Sequence, residues 1–531
     1  MITLSGNIFI PRASLPQDVG VSSKIVKEFL NGAVEKGYEY HSLMVIRHGK
    51  VAVEWYNEPY NKETPQAVYS ISKSFTSTAI GFAIEEGLVS LDTKLIDLFP
   101  DYSPKKPDKR FEKLTIHNLL RMSSGKQPSF LTDKSKVDWI EDYINSPWVF
   151  EPGEKFLYIN ENIFMLSAVI SRVTGMSMRE YLTPRLFEPL GIEIPFWETD
   201  RNGVEAGGWG LYLKTEDIAK LILCYLQKGM YNGVQVIPES WTTLATQKQI
   251  DNNQNRPGTD ASYGYGYCFW KNSIDETSFR ADGMFSQFGI GIPEYDAAVI
   301  VTSAVTDETG CLDFLFNYFP RAFKEADEET QQIENTKVEP LFPSDRPSTE
   351  QTINNRYIKF RKKILLNLTG FQLSVLPMAV TYMLTDKPGN IDMVKFDFDE
   401  KECTMKWSEG LETNTIILGL DGHYRYSKIT LGNIDFTVCA NAMWLDNESM
   451  LVTIRPIQTV AKRNLIFEFR PKDKVIMIPS SSPSGAEILN NLGGFFEQMI
   501  PNKTILKIFN KVMSFGPRLM EPKHYGRFIE K

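Results

Sequence analysis

The sequence is poor in the residues that staple or metallate a protein. Its five cysteines, Cys224, Cys268, Cys311, Cys403 and Cys439, are odd in number and scattered, with no C-x-x-C pair. That pattern excludes a disulfide framework and a zinc-ribbon site, and it reads the thiols as small buried residues in a reducing compartment. No metal or cofactor is expected. The five histidines, His41, His48, His117, His423 and His524, stand in no spacing that a histidine-based triad would use. There is no internal repeat, no phosphate-cradling glycine loop and no Lys/Arg cluster interleaved with aromatics. With a net charge of −8, this argues against a nucleic-acid partner. Met1-Ile2-Thr3-Leu4-Ser5-Gly6 lacks the basic and apolar regions of a leader, which points to the cytoplasm. Long apolar runs are scarce as well. Ile364 to Leu384 is the one candidate membrane span, and Asn367, Gly370, Gln372, Ser374 and Pro377 make it too polar. No membrane span is expected.

What is present fits a globular chain of two domains. At 531 residues the sequence exceeds one core, and its 42% apolar and 23% charged fractions are ordinary for a folded protein. Ser42 to Arg47 and Val51 to Tyr56 read as strands around the hairpin signal His48-Gly49-Lys50. Ser72 to Glu86, Ile163 to Val173, Thr215 to Leu226, Pro238 to Thr246 and Leu312 to Phe323 carry helical patterns. Gly266 to Trp270, Phe285 to Ile292 and Ala297 to Ser303 read as further strands. The fold class is therefore α+β: an antiparallel sheet flanked by helices, with an all-helical subdomain between about 95 and 200. Residues 324–355 are acidic and proline-bearing and read as a linker between a first domain, 1–323, and a second, 356–531. The second is β-rich, with strand patterns at Met393 to Phe398, Thr415 to Leu420, Phe436 to Ala440 and Leu465 to Phe469.

Chemistry concentrates in two short stretches. Tyr69-Ser70-Ile71-Ser72-Lys73 places a hydroxyl and an amine three residues apart at the start of an apolar-periodic run. On a helix they share a face, so the amine can serve a serine nucleophile where no histidine does. Farther on, Pro152-Gly153 is followed by Tyr158-Ile159-Asn160. The order S-x-x-K then Y-x-N resembles the serine β-lactamase and penicillin-binding-protein clan. Its class C-like branch, with family VIII-type esterases and D-aminopeptidases, is the nearest match. Thr115 to Gly125, Gly207-Gly208-Trp209-Gly210-Leu211 with Thr215 to Ala219, and Tyr263 to Tyr267 add to that likeness. It covers roughly residues 20 to 325.

The resemblance implies a β-lactamase-like fold and a serine hydrolase cleaving a small-molecule ester, amide or peptide through an acyl-enzyme on Ser70. Lys73 and Tyr158 would activate it, the Tyr158 phenolate being favoured beside a cationic lysine. Asn160, on the same side of an extended segment as Tyr158, would bond Lys73 or the substrate amide. The Ser70 N–H would form half of an oxyanion hole. The sequence departs from the clan at its third box, K-T-G or H-x-G. The matching positions are Ala281-Asp282-Gly283, so the glycine remains and the base is missing. Gly283 would keep the close backbone approach, Met284 would supply the second oxyanion N–H, and Arg280 would point away. Two alternatives stay open: β-lactamase or D,D-peptidase activity, and a non-catalytic penicillin-binding-like sensor.

Overall fold

A computed structural model describes residues 9–128, 138–193, 196–254, 257–325, 327, 330, 332–337, 346–362, 375, 390–431, 434–484, 487, 507 and 521–529. The chain divides into two compact units, Met1–Thr336 and Lys337–Lys531. Among the described residues no helix is long and apolar enough to cross a membrane. The segment Ile364 to Leu384, apart from Val375, lies outside the described residues.

The first unit is built on an antiparallel sheet. Its strands run in the order Lys50–Tyr56, Tyr40–Arg47, Ala297–Ser303, Gln287–Ile292, Phe279–Gly283, Trp270–Lys271. His48 and Gly49 make a two-residue hairpin turn, both at positive φ (51° and 68°), because Arg47 pairs directly with Lys50. One face of the sheet carries Leu43, Val45, Phe288, Ile290, Val299 and Val301. It packs with Phe29 of the Ser23–Glu35 helix and Phe314 of the Glu308–Tyr318 helix. On the other face Ile218 and Ile222, one turn apart in the Thr215–Leu226 helix, lie flush on Gly289. A Cβ there would fall 2.9 Å from Ile218 and 2.8 Å from Ile222. The helical subdomain contains Trp139–Asn145, Asn160–Thr174 and Met178–Leu182.

Three expected elements change extent, each for a local reason. Gly266 to Trp270 is not a strand, because the backbone turns at Cys268 (φ 64°) and only Trp270–Lys271 joins the sheet. The carbonyls of Tyr267 and Cys268 instead accept the buried hydroxyls of Ser77 (2.7 Å) and Ser74 (2.9 Å). Phe285 and Ser286 also have positive φ (64° and 62°), so that strand begins at Gln287. The last helix starts at Glu308, capped by the Asp307 side chain, and stops at Tyr318 ahead of Pro320. Within the expected linker, Asn335 accepts the Tyr56 N–H at 2.8 Å and the Thr336 carbonyl accepts that of Glu58 at 3.0 Å.

The second unit is one antiparallel sheet of ten strands among the described residues. A parallel bridge from Gly419 to Asn441 links its first strand to the ninth, giving a barrel-like closure. Val394, Phe396, Met405, Trp407, Ile416, Val452, Leu465 and Phe467 are buried at alternating positions. Six of the strands, at Tyr357–Phe360, Glu402–Glu409, Arg425–Leu431, Ser449–Pro456, Lys474–Ser482 and His524–Ile529, were not among the sequence expectations.

The Ser72–Glu85 helix lies at the centre of the first unit, and Trp241 rests on its Gly81. A Cβ at Gly81 would stand 2.4 Å from the indole. Gly81→Ala should therefore destabilise the unit by about 1–3 kcal/mol despite alanine's better helix propensity. A urea melt gives the check, and an unchanged midpoint would show that Trp241 yields.

Candidate active site

Ser70 sits on a short 3-10 turn, Tyr69–Ile71, that runs straight into the Ser72–Glu85 helix. The residue before it, Tyr69, is held at φ 46°, a conformation that costs a tyrosine of order 1–3 kcal/mol. Its buried ring is locked edge-on against Phe285 at 5.2 Å. The turn presents Ser70 partly exposed, while Lys73, one turn on, is buried.

Lys73 Nζ has three oxygen neighbours at hydrogen-bond distance: Ser70 Oγ at 2.8 Å, Asn160 Oδ1 at 2.8 Å and the Gly208 carbonyl at 2.6 Å. None is charged. Burial pulls the amine from its ordinary value down to about 7, against a weaker opposing influence from Cys268, Glu161 and Asp282. The neutral amine has two N–H donors and a lone pair. The Asn160 amide oxygen and the Gly208 carbonyl can only accept, so both N–H groups go there. The lone pair is left facing the Ser70 hydroxyl.

Asn160 does not continue an extended segment past Tyr158. Ile159 is the extended cap and Asn160 is the first residue of the Asn160–Thr174 helix, which aims its amide at Lys73. The part played by Gly208 has no signal in the sequence beyond the Gly207-Gly208-Trp209-Gly210 stretch itself. Gly207, at φ 66°, also accepts the Thr76 hydroxyl at 2.9 Å. A Cβ on Gly208 would come within 3.4 Å of Lys73 Nζ and 3.3 Å of the Asn160 carbonyl.

Tyr158 is partly exposed and flanks the pair, with Lys73 Nζ 4.9 Å from its ring centroid. The expected favouring of its phenolate is reversed. Burial pushes the phenol above its ordinary value, and Asp282, Cys268 and Glu308 push the same way. Hydrogen bonding to Ser70 opposes them. A lysine that loses its charge near neutral pH gives a phenolate little to lean on. Tyr158 packs at 5.3 Å on Trp270, and Tyr265 meets both rings edge-on.

The third-box strand, Phe279–Gly283, ends against the Ser70 turn: a Cβ on Gly283 would fall 2.4 Å from the Val68 carbonyl. Met284 follows, partly exposed. Ala281 is wholly buried and pairs with Gly289. Arg280 is almost wholly buried. Its guanidinium lies 5.6 Å from the Trp270 ring centroid and bonds Asp260 (2.7 Å), Asn272 (2.8 Å) and Asp282 (2.8 Å).

An antiparallel sheet with a helical subdomain, and an S-x-x-K turn facing a Y-x-N segment, define a β-lactamase-like protein. The sequence model of the Beta-lactamase family matches residues 26–314, more than half of the chain, which therefore belongs to that family. The chain is similar to a β-lactamase of Escherichia coli (strain K12), 30% identical over 135 residues, or 25% of this chain and 35% of that protein. It is also similar to the lovastatin esterase of Penicillium rubens, 29% identical over 164 residues, or 26% of this chain and 41% of that one. Both matches span less than half of the relative's length. Among solved structures, the octameric penicillin-binding protein homologue from Pyrococcus abyssi aligns with a TM-score of 0.45 and 18% identity. That alignment covers 86% of this chain and 97% of the other.

The geometry makes Lys73 titratable through Ser70. The rate at which a fluorophosphonate labels Ser70 should rise with pH through a midpoint at about 7 and level off above it, since only the neutral amine accepts a proton. Asn160→Asp puts a carboxylate 2.8 Å from the amine and should move that midpoint up by about a unit or more. A midpoint that stays in place would assign the limb to another group.

Proposed function

We propose that this protein is a serine hydrolase that cleaves a small ester or amide through an acyl-enzyme on Ser70. One observation carries the reading: buried Lys73 Nζ stands 2.8 Å from Ser70 Oγ, with Asn160 Oδ1 and the Gly208 carbonyl placed to take its N–H groups, so that its neutral form turns a lone pair to the hydroxyl. Ser70 Oγ attacks the carbonyl carbon as Lys73 takes its proton. The oxyanion meets the Ser70 N–H at the start of the helical run, with the Met284 N–H as partner at the strand end. Tyr158, kept protonated, gives a proton to the leaving group, and the proton held on Lys73 restores it. Water then attacks the acyl-enzyme, using the same groups in reverse. Asn160 holds Lys73, and Gly283 lets the strand approach the nucleophile. Support for an ester comes from the lovastatin esterase relative. The five buried cysteines fit a cytoplasmic setting.

Arg280 is committed to Asp260, Asn272 and Asp282 and offers no cation to a substrate carboxylate. Carboxylate-bearing β-lactams and peptidoglycan stems are disfavoured on that ground. Nitrocefin turnover should fall at least about tenfold below that of p-nitrophenyl acetate in kcat/KM, the value of one charge-assisted bond. Faster turnover of nitrocefin would restore the β-lactamase alternative.

Ser70→Ala should abolish turnover and covalent labelling in a protein with an unchanged melting profile. Lys73→Ala and Tyr158→Phe should each slow acylation by roughly 10²–10⁴, as for the loss of a general acid or base. Combined, they should cost little more than either alone, because one proton passes through both. Multiplicative losses in the double variant would separate the two residues, and labelling of the Ser70→Ala protein would move the nucleophile elsewhere.

A further inference from the structure

Past Gly283 the third-box strand turns on three residues, Met284 to Ser286, and returns as Gln287–Ile292. Phe285 and Ser286 both hold positive φ, at 64° and 62°. Two successive residues with side chains in that region are strained, and such a conformation persists only where its surroundings enforce it. Two wholly buried polar side chains do so here, Gln287 and Ser303. Gln287 Nε2 donates to the Ser303 carbonyl at 2.6 Å and lies 3.1 Å from the Phe285 carbonyl and 3.4 Å from that of Met284. Its Oε1 accepts the Ser303 N–H at 3.2 Å. Ser303 thus offers one donor and one acceptor to the same amide, which fixes the end of Gln287 that carries the hydrogens and leaves its second N–H for the turn. The Ser303 hydroxyl sits 2.7 Å from the Phe285 carbonyl and 3.0 Å from that of Ser286.

These bonds fix the direction of one N–H. The peptide plane that joins Met284 to Phe285 is held at both edges, its carbonyl by Gln287 and its N–H by Glu308 Oε1 at 3.1 Å. On the other side of Met284, Gly283 pairs with Gln287 and faces the Val68 carbonyl, which a Cβ would meet at 2.4 Å. The Phe285 ring stands edge-on to Tyr69, the residue before the nucleophile, with 5.2 Å between centroids. The turn is therefore packed against the Ser70 turn through Val68 on one flank and Tyr69 on the other. Its three carbonyls are all taken, and among the described residues the Met284 N–H has no acceptor.

We propose that Gln287 and Ser303 are positioning residues that lock the 284–286 turn, so that the Met284 N–H is aimed in advance at the oxyanion formed when Ser70 attacks. The inference rests on the serine-hydrolase reading. A donor fixed before the reaction loses nothing to reorientation as charge develops. Both side chains are too deeply buried to meet substrate, and each acts through the backbone of the turn. Without the Gln287 amide the Met284 and Phe285 carbonyls lose a buried donor. The strained turn then relaxes and carries the Met284 N–H with it.

The test uses the full chain and two p-nitrophenyl substrates with one acyl group, an ester and the thionoester in which sulfur replaces the carbonyl oxygen. Sulfur is a weak hydrogen-bond acceptor, so a hole that grips oxygen separates the two beyond their ratio in alkaline hydrolysis. Normalised to that ratio, wild-type kcat/KM should favour the ester by roughly 10²-fold or more, as for one oxyanion donor. Gln287→Met keeps the volume without the amide. It should lower kcat/KM for the ester by roughly ten- to a hundredfold and bring the normalised preference towards one. Ser303→Ala removes a single oxygen and should move both quantities the same way by roughly two- to tenfold, as for one hydrogen bond. This second variant decides the matter if Gln287→Met does not fold. In both, the pH midpoint of Ser70 labelling should stay where Lys73 sets it. A merely structural loss would reduce the fraction of Ser70 that labels and leave the normalised preference of the remainder unchanged. A wild-type preference near one overturns the inference, as does a folded variant that keeps the wild-type preference or shifts the midpoint. Failure of the hydrolase reading looks different: folded wild-type protein would neither label at Ser70 nor turn over the ester, and the inference would fall with it.

Discussion

A buried lysine amine whose three hydrogen-bond partners are all uncharged is the constraint on which the first unit turns. Burial of an ammonium without a counter-charge is costly, so the fold favours the neutral form. The energetic penalty on the charged state lowers the amine's pKa to about 7, which leaves a neutral amine able to accept a proton near neutral pH. Each partner makes a structural demand. The Gly208 carbonyl comes close because residues 207 and 208 have no side chains to collide with the Asn160–Thr174 helix. Asn160 must begin that helix. Ser70 must stand on a turn that leaves its hydroxyl partly open to substrate while the amine below stays dry.

The surrounding packing meets these demands with hydrogen bonds as well as apolar contacts. The central helix buries Ser74, Thr76 and Ser77, and each hydroxyl is satisfied by a carbonyl from the 207 loop or from the 267–268 turn. Those bonds hold the loop that carries Gly208 and the segment leading to Trp270 against the helix that carries Lys73. A buried hydroxyl left without its acceptor would cost about 1–3 kcal/mol, so the register between helix and loops is strongly specified. The aromatic wall of Tyr158, Tyr265 and Trp270 continues that order outward to Arg280.

Electrostatics then divides the site. On the inner side burial lowers the Lys73 amine to about 7 and leaves it only uncharged partners. On the outer side two carboxylates and an amide take up the Arg280 guanidinium. At the third-box position where the clan carries a base, the strand has the buried Ala281. The two basic residues are thus treated in opposite ways: Lys73 meets only uncharged partners, and Arg280 meets two carboxylates.

The sequence by itself determined what depends on neighbours along the chain. Ser70 and Lys73 share a face because they are one turn apart. The His48-Gly49 hairpin follows from residues that tolerate positive φ, and the long helices and central strands follow from their periodicity. The order of the S-x-x-K and Y-x-N stretches carried the family likeness. Tertiary structure decided the rest, because its causes lie far away in the chain. Gly208 reaches Lys73 across 135 residues, and Asp260 reaches Arg280 across 20. No local pattern reports that Gly266 to Trp270 gives up its ladder so that two carbonyls can serve the central helix. Nor could composition fix the protonation of Tyr158, since it is the burial of the phenol in the folded chain that raises it above its ordinary value.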